Sequence, residues 1–207
     1  MYIFNMSFIK LKLMITNEDL RLFDLLSFAY RSFALITDLT ETLISDEKKE
    51  SPATQFYFKW CETRLNGKYE IPLNPGTIWM ISSAIIVNSK EKWLILLPKT
   101  PLSKIGPEWG LRDIKLNYPI NPDPSVSTVV HKIRNAISHS DVKFKMGGEE
   151  TPWHIFLKET TLTFKDSKRK DPFEIEISIS DLSKLNSMIY QTIHSFLESY
   201  AHPSTPQ

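Results

Sequence analysis

Cysteine is nearly absent. The 207 residues hold one, Cys61, which excludes an intramolecular disulfide framework and fits a reducing cytoplasm. Beside Trp60 in an apolar helical context, it reads as a buried structural thiol. An excess of charge is missing too: 25 basic residues against 24 acidic ones leave a formal net charge of +1. Strong nonspecific DNA binding is therefore not expected, and any nucleic-acid site has to be a local basic patch. No apolar run is long enough to span a bilayer, because the most apolar region, Ile78 to Leu97, is broken by Asn88-Ser89-Lys90-Glu91-Lys92. The first fifteen residues place their lysines after the apolar residues and offer no clear small-residue cleavage site, so no signal peptide is read. A soluble, cytoplasmic protein is expected. There is no P-loop, no G-x-G-x-x-G and no G-x-S-x-G elbow. No H-E-x-x-H, paired cysteines or carboxylate cluster accompanies the histidines, so neither a metal nor a cofactor is expected.

What is present suits one mainly α domain spanning residues 1–207, with 42% hydrophobic and 12% aromatic residues supplying a sizeable core. After an N-terminal arm or strand over residues 1–16, Thr16 or Asn17 can cap a helix whose Leu22, Leu25, Leu26, Ala29, Phe33, Ile36, Leu39 and Leu43 keep helical spacing. That helix ends in the charged run Asp46 to Glu50. Ser51-Pro52 starts a second helix, with Phe56, Tyr57, Trp60 and Cys61 apolar and Gly67 as its stop. Asn74-Pro75 starts a third, apolar nearly all round through Ile78, Trp79, Ile81, Ala84, Ile85 and Ile86, which marks it as the central buried helix. The pattern fits both a continuation through Trp93 to Leu97 and a break near Asn88.

Six of the thirteen prolines fall between Pro98 and Pro124. This rules out a long helix and gives a Pro-rich connection with at most a short turn around Glu108 to Asp113; Lys104, Arg112 and Lys115 in it could reach the following helix as phosphate contacts, with solvated loop charges the preferred reading. Asp123 then caps, and Pro124 opens, an amphipathic helix. Beyond it, Gly147-Gly148 marks a turn and Trp153 to Leu157 could form a strand. Leu162 and Phe164, the loop from Asp166 to Asp171, and the alternation of Phe173, Ile175, Ile177 and Ile179 with Glu174, Glu176 and Ser178 describe a hairpin. Ser180 caps a last helix bearing Leu182, Leu185, Ile189, Ile193, Phe196 and Tyr200, and the tail 202–207 is expected to lack order.

Most of the unusual chemistry sits on the helix after Pro124. Val126, Val129, Val130, Ile133, Ala136 and Ile137 form its buried stripe, while His131, Arg134, Asn135, Ser138 and His139 fall outside it. His131, Asn135 and His139 are successive i, i+4 neighbours, and Arg134 lies beside that row, one turn from Ser138. A guanidinium grips phosphate oxygens with a fixed fork, and an imidazole gives or takes a proton near neutrality, a pairing suited to phosphate-ester chemistry. Near the helix C-terminus the dipole favours the charged ring of His139, and so a general acid.

Arg134-Asn135-Ala136-Ile137-Ser138-His139, on such a helix and followed by a hairpin and a terminal helix, resembles the R-x4-H motif of HEPN domains. The resemblance covers roughly Asn17 to Tyr200. It implies a bundle of about five helices with a small antiparallel β-hairpin before the last helix, and a homodimer that joins two motifs in one composite cleft. It also implies a metal-independent RNA endonuclease of the toxin or phage-defence type, with Arg134 and His139 catalytic, Asn135 supporting them, and an antitoxin protein as a possible partner. His131, Lys132, Lys143 and Lys145 are then the candidate RNA contacts, joined by the basic run Lys165, Lys168, Arg169 and Lys170. The alternative reading is a non-catalytic HEPN module that holds a nucleotide, an RNA or a partner protein through the Arg134 cleft.

Overall fold

The structure, a computed structural model, describes residues 15–44, 51–64, 66–67, 72, 75–88, 91–112, 114–139, 141–145, 158–166 and 172–201. In chain order its elements are α1 (Asn17–Ile44), α2 (Pro52–Arg64), α3 (Pro75–Asn88), the one-turn α4 (Glu91–Leu94), β1 (Lys115–Asn117), α5 (Val126–Ser138), β2 (Val142–Lys145), β3 (Thr161–Asp166), β4 (Phe173–Ser178) and α6 (Ile179–Ala201). The expected bundle of long helices with a β-hairpin before the last one is therefore present. The expectations for 1–14, Asp46 to Glu50, the Gly147-Gly148 turn, Trp153 to Leu157, the loop 167–171 and the tail 202–207 lie outside the described residues.

α3 is the central helix. Its Ile78, Ile81, Ile85 and Ile86 are buried, and it packs against α1, α5 and α6. Asn186 on α6 donates to Ser82 on α3 at 2.9 Å, a polar link between two fully buried side chains. α3 is described to Asn88 and α4 from Glu91, and Trp93 and Leu94 of α4 join the core with Leu97. α1 uses only part of its apolar stripe. Leu26 and Phe33 are buried and Tyr30 stacks on Tyr190 of α6 at 4.2 Å, but Leu25 is 53% exposed. Leu25 lies a hundred degrees round the helix from Leu26, on the side turned to solvent. α2 begins as expected, the Ser51 hydroxyl accepting the Thr54 N–H at 3.3 Å. It ends with Gly67 at φ 76, whose N–H returns to the Cys61 carbonyl at 3.2 Å.

The proline-rich connection is more ordered than its sequence suggests. It makes two 3-10 turns, Leu102–Lys104 and Pro107–Trp109, and buries Trp109, Leu111 and Tyr118. Gly110 follows the second turn at φ 64, where a Cβ would collide with the backbone carbonyl of Asp181 at the start of α6. The connection then supplies β1. That strand pairs antiparallel with β4, Leu116 opposite Ile175, and completes a four-stranded sheet of order β1-β4-β3-β2. Leu162 and Phe164 of β3 lie opposite Ile177 and Ile175 of β4, and this inner face covers α5.

Two caps differ from the sequence reading. Ser125, not Asp123, caps α5, accepting the Thr128 N–H at 3.3 Å. Pro124 and Ser125 are held extended by a bridge from Pro101 to Ser125 and by the Leu102 N–H, which bonds the Pro124 carbonyl at 3.0 Å, so the helix cannot start before Val126. Asp123 is turned back into the connection, where it accepts from the backbone N–H and the hydroxyl of Ser103 at 2.9 and 2.6 Å. At α6 the cap is Ser178, not Ser180: its hydroxyl accepts the Asp181 N–H at 3.1 Å. Among the described residues no helix is long and apolar enough to cross a membrane.

Candidate active site

α5 lies between α3 and β3 and buries Val126, Val129, Val130, Ile133, Ala136 and Ile137, the stripe expected from its spacing. Its C-terminus is fixed by three backbone bonds. The His139 N–H reaches the Asn135 carbonyl at 3.0 Å, the Asp141 N–H reaches Ala136 at 3.0 Å, and the Lys165 N–H reaches Asp141 at 2.9 Å, which ties the helix end to β3. His139 is the C-cap residue, at φ −97 and ψ 3.

Within that frame His131, Arg134 and Asn135 are half-buried on the helix, and Ser138 and His139 are exposed at its end. The backbone thus puts the Arg134 and His139 pair on the accessible side, with His139 one turn beyond Asn135.

Asn135 is held from below. Its Nδ2 lies 3.5 Å from Oδ2 of Asp166, the last residue of β3, and Asp166 is buried. The same carboxylate oxygen lies 3.9 Å from Nζ of Lys132. Lys132 is 6% exposed, and its ammonium stands 5.3 Å from the ring centroid of Tyr118, which meets Phe173 edge-on at 5.7 Å. The placement of Lys132 as an RNA contact is accordingly corrected. It occupies a stripe position between Val129 and Ala136 and serves the interior, because Asp166 and Tyr118 offer its charge a partner there.

Lys143 and Lys145 are exposed on β2, the strand that follows His139. Across the sheet they face Thr163 and Thr161, whereas the carboxylates one strand further on are already engaged, Glu176 by Lys115 at 2.8 Å and Glu174 by Lys165. Among the described residues of β2, Lys143 and Lys145 carry the charge. Lys115 belongs to that ion pair, Lys104 and Arg112 are exposed on the connection, and Lys168, Arg169 and Lys170 lie outside the described residues. Among the described residues no group of three or more His, Cys, Asp or Glu side chains is placed to hold a metal ion.

Asp166 is the residue that sequence reasoning missed. The signal was available: in Thr161-Leu162-Thr163-Phe164-Lys165-Asp166 the inward positions are Leu162, Phe164 and Asp166, and the last breaks the alternation.

A helical bundle with a small antiparallel sheet and an R-N-x3-H helix open at its C-terminal end defines the class. A family model described as HEPN pEK499 p136 matches residues 20–202, from the first turn of α1 to the end of α6, and the chain belongs to this HEPN family. No curated protein and no solved structure matches the chain.

Proposed function

We propose that this HEPN protein is a metal-independent RNA endonuclease of the toxin or phage-defence type, acting in the cytoplasm as a homodimer whose two R-x4-H motifs share one cleft. The observation that carries the reading is the division of α5. Its stripe is buried, while Arg134 stays half-buried and His139 exposed at a helix end held by three backbone bonds. A guanidinium for phosphate and an imidazole for proton transfer are thus both accessible and both backed by rigid structure. One histidine per motif is a poor acid–base pair, and a two-fold axis supplies the second.

In the cleft a base takes the proton of the RNA 2′-hydroxyl, and the freed oxygen attacks the adjacent phosphorus. Arg134 stabilises the charge that builds on the phosphoryl oxygens, and a protonated imidazole gives its proton to the departing 5′-oxygen. The products end in a 2′,3′-cyclic phosphate and a 5′-hydroxyl. His131, Lys143 and Lys145 hold the flanking phosphates. An activity of this kind inside a cell calls for restraint, which an antitoxin protein would supply.

The deciding assay is cleavage of an RNA oligonucleotide carrying a single 2′-deoxy residue at the mapped cut, with and without EDTA. Cleavage stops at the deoxy position and is indifferent to EDTA. Cutting at the deoxy position, or activity abolished by the chelator, overturns the mechanism. RNA that is bound but never cut, with His139→Ala making no difference, assigns the chain to the non-catalytic binding type.

A further inference from the structure

Two residues break the pattern of their own elements, and they meet each other. Asp166 stands where β3 calls for an apolar side chain, and Lys132 stands within the buried stripe of α5. Taking an ammonium and a carboxylate out of water costs several kcal/mol each, and an apolar pair of similar volume would fill the same space without that cost. Stability alone is therefore a weak reason for the pair. What an apolar pair could not do is hold Asn135.

Asp166 Oδ2 lies 3.5 Å from the Asn135 Nδ2, and Oδ1 finds no hydrogen-bond partner among the described residues. A carboxylate only accepts hydrogen bonds, so the half of the amide turned toward it has to be the NH2 group. The amide is planar, and its carbonyl oxygen then points away from Asp166, off the sheet side of the helix. Without the carboxylate the two orientations of the amide would differ little, since either end can find a partner in water.

Resting on the ribonuclease reading above, we propose that Asp166 is a positioning residue for the R-x4-H site: paired with Lys132, it fixes Asn135 with its NH2 inward and its carbonyl oxygen presented to the RNA as a hydrogen-bond acceptor. The group that oxygen meets is a hydroxyl or amino donor of the nucleotide in the cleft. Asn135 itself sits one residue from Arg134 and one turn before His139, so a donor gripped there is registered against both. The site is thereby assembled from the sheet as well as the helix.

The test removes both charges together, so that neither is left buried and unpaired. Lys132→Met/Asp166→Leu, in the full-length chain, is compared with Asn135→Ala and with the triple variant. The double variant melts within a few degrees of the parent, lowers kcat about 10- to 100-fold and leaves KM within about threefold, as a misplacement of reacting groups does. Asn135→Ala adds nothing to it, and Lys132→Met/Asp166→Asn, whose amide can turn either its oxygen or its NH2 to Asn135, recovers activity only in part. The side-chain amide signals of Asn135 in a 15N-labelled sample, assigned through Asn135→Ala, move to the position of a solvated amide in the double variant. A folded double variant with the parental kcat, or losses that multiply in the triple variant, overturns the proposal. If the parent cuts no RNA, the ribonuclease reading has failed, and the Asn135 amide signals still decide: a shift supports the Asp166 contact and unmoved signals exclude it.

Discussion

Lys132 Nζ and Asp166 Oδ2 stand 3.9 Å apart with side-chain exposures of 7% and 0%. Removing only the cation would leave a carboxylate in the interior without its counter-charge, and such a change costs about 3–5 kcal/mol. Lys132→Ala is therefore expected to shift the denaturant midpoint strongly, measured by urea unfolding, while the folded fraction keeps its RNA affinity. Retained stability with weakened RNA binding would return Lys132 to the role of a phosphate contact.

Arg134→Ala and His139→Ala are expected to remove activity without unfolding the protein. Loss of a proton-transfer group lowers kcat about 10²- to 10⁴-fold, and substitutions away from the core change stability by about 0.5 kcal/mol or less. Ile133→Asp is the contrasting variant, because Ile133 is fully buried and an unpaired charge there should prevent folding. Arg134→Lys sharpens the reading: retained activity would indicate general electrostatics in place of a bidentate grip. Thermal melts alongside single-turnover cleavage separate these outcomes.

The exposed β2 lysines call for a binding measurement. If Lys143 and Lys145 each neutralise one phosphate of single-stranded RNA, each substitution to Gln flattens the plot of log affinity against log salt by about 0.7. Binding of uncleavable RNA to His139→Ala, followed by fluorescence anisotropy at several salt concentrations, gives the slope. An unchanged slope would remove both residues from the RNA path.

Two copies of the chain are expected to associate tightly, since the composite cleft requires both motifs. Light scattering at micromolar concentration should give about twice the 24.0 kDa chain mass. A stable monomer with full RNase activity would refute the shared cleft.

Asp123 gives a pH dependence with a defined sign. Its side-chain bond from the Ser103 hydroxyl, then the bond from the Ser103 N–H, hold its carboxyl below the ordinary value of 3.8. A lowered folded-state value means that the contribution is complete above 3.8, the value expected without those bonds, and is lost as pH falls through the folded value beneath it. The stability difference between the parent and Asp123→Asn should thus be constant from neutrality down to about pH 4 and shrink below it. A difference that starts shrinking near pH 6 would show that another group is titrating.

Long, well-capped periodic elements were legible from the residues. The stripe of α5, the central α3 and the β3–β4 hairpin each carry many turns or alternations of one signal. β1 and β2, three and four residues long, carry too little alternation to register, and their pairing partners are distant in sequence. Asp123-Pro124 satisfied every local rule for a helix start, yet bonds from Ser103 and Leu102 took those groups for the connection. Lys132 was misplaced for a related reason. A lysine in an apolar stripe is assigned to water by type, and the partner that keeps it inside lies on another element. The positions of Arg134, Asn135 and His139 on their helix followed from spacing; what holds Asn135 did not.

α5 lies in the chain between two strands of the same sheet, β1 before it and β4 after it, and this order sets a schedule for synthesis. When His139 is added to the growing chain the motif is chemically complete, but Asp166 is not yet made and β1 has no strand to pair with. At roughly 5–20 residues per second, several seconds pass before β4 and then α6 emerge. During that interval a nascent chain holds an arginine and a histidine on a helix whose sheet side has no cover. The arrangement of Arg134, Asn135 and His139 over Asp166 is therefore complete only once the strands on both sides of α5 in the chain have been translated.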